Sequence, residues 1–208
     1  MNILNQLNWR YAVRRFNETK ISGHQIEELA EATRLTASSY GLQPYKLLVI
    51  ESDEVRDALL AYSMGQIKVK ESSHLFVLAC NSSIDDNFID HYFARMASER
   101  SIHESSLMDF KQHVKDAILG MTVEQRDHWA DQQAYIALGN LLTVAALKEI
   151  DACPMGGFDN KGFDQVLGLK ELGLRSCVIC TLGYRSVDDE SANDKKVRQV
   201  QEQFLIQV

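Results

Sequence analysis

Six cationic side chains fall in three separate places where they could meet one anion. Arg10, Arg14 and Arg15 lie near the N-terminus, Lys68 in the first third, and Lys196 and Arg198 near the C-terminus. Guanidinium groups match phosphate oxygens bidentately, and an ammonium adds a point charge. The chain as a whole is acidic, with a formal net charge of -7. An acidic chain that gathers cations this way can be building a single anion site. Each cluster taken alone is equally well a solvated basic loop.

Other chemistries find less support. There is no Gly-x-Gly-x-x-Gly after a strand, no Walker-type loop and no His-Glu-x-x-His. The six His residues share no metal-ligand spacing. Cys177 and Cys180 spell Cys-x-x-Cys, but residues three apart in a strand point to opposite faces, which disfavours a redox or zinc pair. Cys153, before Pro154, has no adjacent His to activate it. Ser38 and Ser39 have no base nearby in sequence and serve better as hydroxyl donors. His74, opening an apolar run, is expected to be a hydrogen-bonded structural residue. Pro154-Met155-Gly156-Gly157-Phe158 places two glycines behind a proline, which frees backbone N–H groups to approach something flat or crowded. An ordinary helix-to-strand turn is the competing account.

The elements that must position these residues follow from periodicity. Between Ala134 and Ile150 almost no polar face remains, so the stretch from Trp129 to Phe158 is expected to hold a central, wholly buried helix. Thr122 with Gln125 marks its capping box. Gly139 in mid-helix costs about 1 kcal/mol relative to Ala, which suggests that another backbone packs close there. Residues 3–9 form a short amphipathic helix. Ser22 with Gln25 starts another, and Asp53 caps a third through about Tyr62. Residues 65–70 read as a basic connector, and 84–120 as two charged helices. Apolar runs at 45–50, 74–80 and 176–183 are buried strands. Residues 186–194 are a polar loop, and Phe204-Leu205-Ile206 is an apolar tail. Helices outnumber strands around a small sheet.

With 208 residues, 45 % of them hydrophobic, and only 2 Pro, the chain is expected to form one domain, 1–208, without an internal linker. The negative charge disfavours nucleic acid. No apolar run reaches the roughly 20 residues of a membrane span. Asn2, Asn5, Gln6 and Asn8 interrupt any signal-peptide core. The 4 Cys, scattered or in apolar runs, suit a reducing compartment, so the expected location is cytoplasmic.

Five segments in order resemble the signatures of the nitroreductase family, the FMN-dependent NAD(P)H oxidoreductases. They are Arg10-Tyr-Ala-Val-Arg14-Arg-Phe16, Ser38-Ser39-x-Gly41-x-Gln43-Pro44, Gly65-Gln66-x-Lys68 with Ser73-His74, Pro154-Met-Gly-Gly157-Phe158 and Lys196-x-Arg198. Each is weak alone. Their order and spacing are not, and they span the chain from Ile3 to the C-terminus.

The resemblance implies an α+β three-layer sandwich, with a small, mostly antiparallel central sheet flanked by helices, in an intertwined homodimer. It implies two FMN sites at the subunit interface. Arg10, Lys196 and Arg198 would hold the phosphate, with Tyr11 and Ala12 nearby. Arg14 and Lys68 would face the N1–C2 edge of the flavin. Ser38, Ser39, Gly41 and Gln43 belong to the segment that the other subunit would supply. Pro154, Met155, Gly156 and Gly157 would lie along one face of the ring. Two departures stand out. Many members carry Glu where Gly156 stands, and Gly65 occupies a position where Asn is common, with Gln66 a candidate replacement. NADH or NADPH would reduce FMN and leave, and a nitroaromatic or quinone would then use the same slot. A dihydropteridine or enone reductase on this fold, a flavin store without turnover, and a purely structural helical dimer are the alternatives.

Overall fold

The computed structural model describes residues 2–208. Helix α1 covers Ile3–Trp9 and α2 Gly23–Arg34, followed by strand β1 at Tyr45–Ile50. Helices α3, Asp53–Leu60, and α4, Lys68–Glu71, lead to β2, His74–Asn81. Helices α5, Asp86–Arg100, α6, Met108–Leu119, and α7, Val123–Leu147, precede β3, Asp151–Met155. Helix α8, Asn160–Val166, strand β4, Leu174–Gly183, and the single turn α9, Gln201–Phe204, complete the order.

The four strands form an antiparallel sheet in the order β1-β2-β4-β3. Alternation along β2 divides the core in two, because successive side chains of a strand face opposite sides. Phe76, Leu78 and Cys80 join the cluster beneath α2, α5, α6 and α7. Leu75 and Val77 join the cluster beneath α3 and α8. The result is the three-layer α+β sandwich anticipated, with the two inner strands apolar on both faces.

Capping chemistry sets the helix starts. Thr122 Oγ1 accepts from the Gln125 N–H at 3.2 Å, and Gln125 Oε1 accepts from the Thr122 N–H at 2.8 Å. The same reciprocal pair joins Ser22 and Gln25 at the start of α2. For α3 the cap is Ser52, whose hydroxyl accepts from the Val55 N–H. Asp53 is instead the first helical residue, where its charge suits the helix N-terminus.

Four further expectations are corrected. Strand β3 contains Pro154, a residue that edge strands tolerate because its missing donor faces no neighbour. The 65–70 connector tightens into α4 from Lys68 onward. Helix α7 is not buried all round within this chain. Ala130, Ala134, Ala137, Leu141 and Ala145 face the core, while Tyr135 and Ile136 are half exposed. A Cβ added at Gly139 would meet nothing within 4 Å, so no backbone of this chain packs close there. Helix α1 packs against α7 and also leaves Ile3, Leu4 and Leu7 exposed. The tail residues Phe204, Leu205 and Ile206 are exposed as well. Among the described residues no helix is long and apolar enough to cross a membrane.

Candidate functional site

The arginine-bearing loop after α1 is fastened to the far edge of the sheet. Ala12 forms a parallel bridge with Ala152 of β3, and Phe16 an antiparallel bridge with Arg185 just beyond β4. This brings Arg10, Tyr11, Ala12 and Arg14 beside Pro154. Together with Lys68, Cys153, Lys196 and Arg198 they line a hollow of about 620 Å³. The three cationic places in the sequence therefore converge on one cavity.

Three of the cations repel one another. Burial lowers the Arg10 pKa, and Arg198 pushes the same way. Burial also lowers the Lys196 pKa, followed by the charges of Arg10 and Arg198. Lys196 Nζ donates to the Leu7 carbonyl at 2.5 Å and to the Arg10 carbonyl, which ties the C-terminal segment to the end of α1. With three donors on an ammonium, one stays available. Arg10 Nε is buried without a hydrogen-bond partner. An orphaned buried donor among mutually repelling cations is satisfied best by an anion. Arg15 takes no part, because its guanidinium pairs with Glu71 at 2.9 Å on the surface.

A buried carboxylate shapes this loop from behind. Asp189 Oδ2 accepts from the Arg14 N–H at 2.8 Å, the Arg15 N–H at 3.2 Å and the Tyr11 hydroxyl at 3.1 Å. Its Oδ1 accepts from the Ser191 N–H. Burial pushes the Asp189 pKa up, but these donors together outweigh it and the net shift is downward. Beside it, the Arg185 guanidinium lies over Trp9 and Tyr11, at 4.3 and 4.6 Å from the ring centres, and is chelated by buried Asp151. Sequence patterning gave no signal for Asp189, which sits in an ordinary polar loop. Trp9 and Tyr11 flanking Arg10 were a visible but unspecific hint.

A depressed carboxylate pKa contributes stability that is fully present above the unfolded value, about 3.9, and lost as pH falls through the folded value. Asp189→Asn should therefore flatten the acid side of the stability profile. It should also cost about 1–3 kcal/mol at neutral pH, since one backbone donor loses its acceptor. Thermal unfolding between pH 3 and 7 checks this. Parallel profiles for variant and wild type would count against it.

The remaining anticipated residues divide into two groups. Gly65, Gln66, Met155, Gly156 and Gly157 do not line the hollow themselves, but they flank in sequence two residues that do, Lys68 and Pro154. Gly65 has a left-handed φ of 65°, which glycine adopts without strain. Gln66 Nε2 donates to the Gly157 carbonyl at 3.1 Å, so it clasps the glycine turn instead of pointing a free amide into the cavity. Ser38, Ser39, Gly41 and Gln43 do not line this hollow. Ser38 Oγ accepts from the Gln43 N–H, and the Ser39 N–H donates to Gln133 of α7. Gly41 and Gln43 border a separate groove against α5.

The two cysteines of Cys-x-x-Cys do not face each other as a pair. A bulge between Leu78 and Ala79 in the β2–β4 ladder brings Cys177 to Cys80 instead, and both lie within 4.8 Å of an Asp131 carboxylate oxygen. Arg175 pairs with that carboxylate at 2.7 Å. His74 is buried and hydrogen bonds Ser73 Oγ through Nδ1 at 2.9 Å, the structural role expected of it.

An α+β sandwich whose sheet edge carries a cationic hollow suited to an anion is the frame of the site. Comparison with known proteins gives the family. The model described as "Nitroreductase family" matches residues 7–184. The chain belongs to the nitroreductase family. "Putative NAD(P)H nitroreductase SSP0379" of Staphylococcus saprophyticus is 31% identical, over 98% of this chain and 95% of that protein. Among solved structures, the "putative nitroreductase ydfN" of Bacillus subtilis superposes with a TM-score of 0.87 at 18% identity, covering 99% of this chain and 98% of that one. A "putative nitroreductase in complex with FMN" from Exiguobacterium sibiricum gives 0.84 at 19% identity, covering 100% and 98%.

Proposed function

We propose that this protein is an FMN-dependent oxidoreductase that passes reducing equivalents from NADH or NADPH to nitroaromatic, quinone or related small acceptors. The observation that carries the proposal is the convergence of Arg10, Lys196 and Arg198 on one hollow, with the buried Arg10 Nε unpartnered. That donor set fits a terminal phosphate monoester. Arg14 and Lys68 line the same hollow and would give a positive potential to a flavin that gains negative charge on reduction. Gly156 and Gly157, without side chains, leave backbone N–H groups open to a flat ring. When bound, FMN supplies the hydride chemistry, and the protein supplies position and electrostatics.

The purified protein should be yellow, with about one FMN per chain and no FAD. NADH or NADPH should bleach it anaerobically, and an acceptor should restore the colour. Initial rates at varied NAD(P)H and menadione should give parallel double-reciprocal lines, as expected when one slot serves donor and acceptor in turn. Absence of flavin after loading with excess FMN would reject the proposal. Flavin that no nicotinamide reduces would leave a flavin store.

The working unit is proposed to be a homodimer. Supporting this, the outward face of α7, the apolar face of α1 and the tail all expose large apolar side chains. Such surfaces mark places where proteins associate. Ser38, Ser39, Gly41 and Gln43 would then reach the hollow of the partner. Deleting residues 200–208 should weaken both dimerisation and FMN retention. Sedimentation and flavin content of the truncated protein measure this, and a fully loaded truncated dimer would contradict it.

A further inference from the structure

Gly156 leaves room at the end of β3, and another side chain reaches that room. The Tyr135 hydroxyl oxygen lies 3.4 Å from the point that a Cβ on Gly156 would occupy. Tyr135 stands on the outward face of α7, so a helix on one side of the sheet sends a phenol to the glycine turn beside the hollow. Gly156 itself is exposed, and the next glycine is held by Gln66 on its carbonyl. Among the described residues, the only other side chain near the two glycines is Met64, whose sulfur lies 4.0 Å from the point that a Cβ on Gly157 would occupy.

We infer that Tyr135 is the polar group this chain presents at the reacting edge of its flavin, from α7 instead of from position 156. The inference rests on the FMN reading above and adds to it a residue that the ordered motifs do not contain. A phenol suits the place better than a carboxylate in one respect. A hydroxyl both donates and accepts, whereas an ionised carboxylate only accepts. The reacting nitrogen of a flavin is an acceptor when oxidised and carries an N–H when reduced. One rotating hydroxyl can serve both states. The phenol also keeps its proton. Burial raises its pKa, with the neighbouring Cys177 and Asp131 acting in the same direction. The reacting edge then carries no fixed negative charge from position 156.

Tyr135→Phe removes the hydroxyl and keeps the ring. In FMN-saturated protein it should leave FMN affinity within about twofold of wild type, since the charge-assisted phosphate contacts are untouched. It should shift the visible absorption bands of the oxidised bound flavin. It should slow anaerobic reduction by NADH or NADPH about tenfold, the usual scale for one lost hydrogen bond at a reacting centre. Gly156→Ala should act in the same direction but more weakly, because a methyl 3.4 Å from the oxygen only touches it at van der Waals distance and crowds its approach to a ligand. A Tyr135→Phe protein with the wild-type spectrum and reduction rate would overturn the role of Tyr135 while leaving the flavin reading intact. A wild-type protein that takes up no FMN would overturn both.

Discussion

Arg10→Gln should lower FMN affinity roughly ten- to hundredfold, because hydrogen bonds to charged groups contribute about 1.5–3 kcal/mol and each tenfold in Kd is about 1.4 kcal/mol. The loss should fall on the phosphate end alone. Riboflavin, which has no phosphate, should bind the variant and the wild type equally. Arg10→Lys should recover only part of the affinity, since an ammonium cannot reproduce the planar fork of donors. The buried, unpartnered Arg10 Nε is the reason for choosing this residue ahead of the more exposed Arg198. Lys196 should respond too. Its pKa is lowered by burial and then by Arg10 and Arg198, so removing Arg10 should raise it. Fluorescence titration with FMN and riboflavin measures both affinities. An equal loss for the two ligands would place Arg10 away from the phosphate.

Asp151→Ala should be the most destabilising single change near the site. Asp151 is 4% exposed and accepts from the Arg185 N–H at 2.8 Å, Nε at 3.0 Å and Nη2 at 2.6 Å. Breaking a buried ion pair by removing one partner typically costs about 3–5 kcal/mol. Arg185 retains some access to water, so about 2–4 kcal/mol is the expected cost here. In a chain of this size that corresponds to a fall in Tm of roughly 5–15 °C. The consequence reaches the ligand, because Arg185 stacks on Trp9 and Tyr11 on either side of Arg10. FMN should therefore leave the variant more readily than wild type even at temperatures where it stays folded. Calorimetry with and without FMN checks both effects, and a Tm within about 2 °C of wild type would refute the argument.

Much of this arrangement was legible from residue type and spacing. Both capping boxes announced their helices, because Ser or Thr followed three residues later by Gln satisfies orphan N–H groups by a local rule. The inner strands were visible as unbroken apolar runs. Strand β3 was not, because Asp151-Ala-Cys-Pro-Met is short, and its proline argues against a strand unless the strand lies at an edge. Helix α8 was missed for a similar reason, since seven residues with Gly162 in the first turn give little periodicity. At the site, the cations and the glycine turn stood out by composition. Asp189, Asp151 and Tyr135 did not, because their roles depend on partners between about 20 and 180 positions away, a separation that no local pattern encodes. The Cys80–Cys177 approach depended on a bulge, which shifts strand register and cancels the alternation used to judge the cysteines.

In the proposed dimer, the apolar surface that α1 and α7 turn outward would make dilution a variable of the chemistry. If the hollow is completed only when two chains meet, a cofactor that binds the pair draws single chains together, by the same mass action through which any ligand stabilises the state it prefers. Flavin would then act as an assembly factor, and apo and holo forms would differ in the concentration at which they come apart. Apparent FMN affinity would weaken at low enzyme levels, and assays run at nanomolar protein would lose turnover out of proportion to the dilution. Activity per chain would become a property of how much of the protein a cell makes.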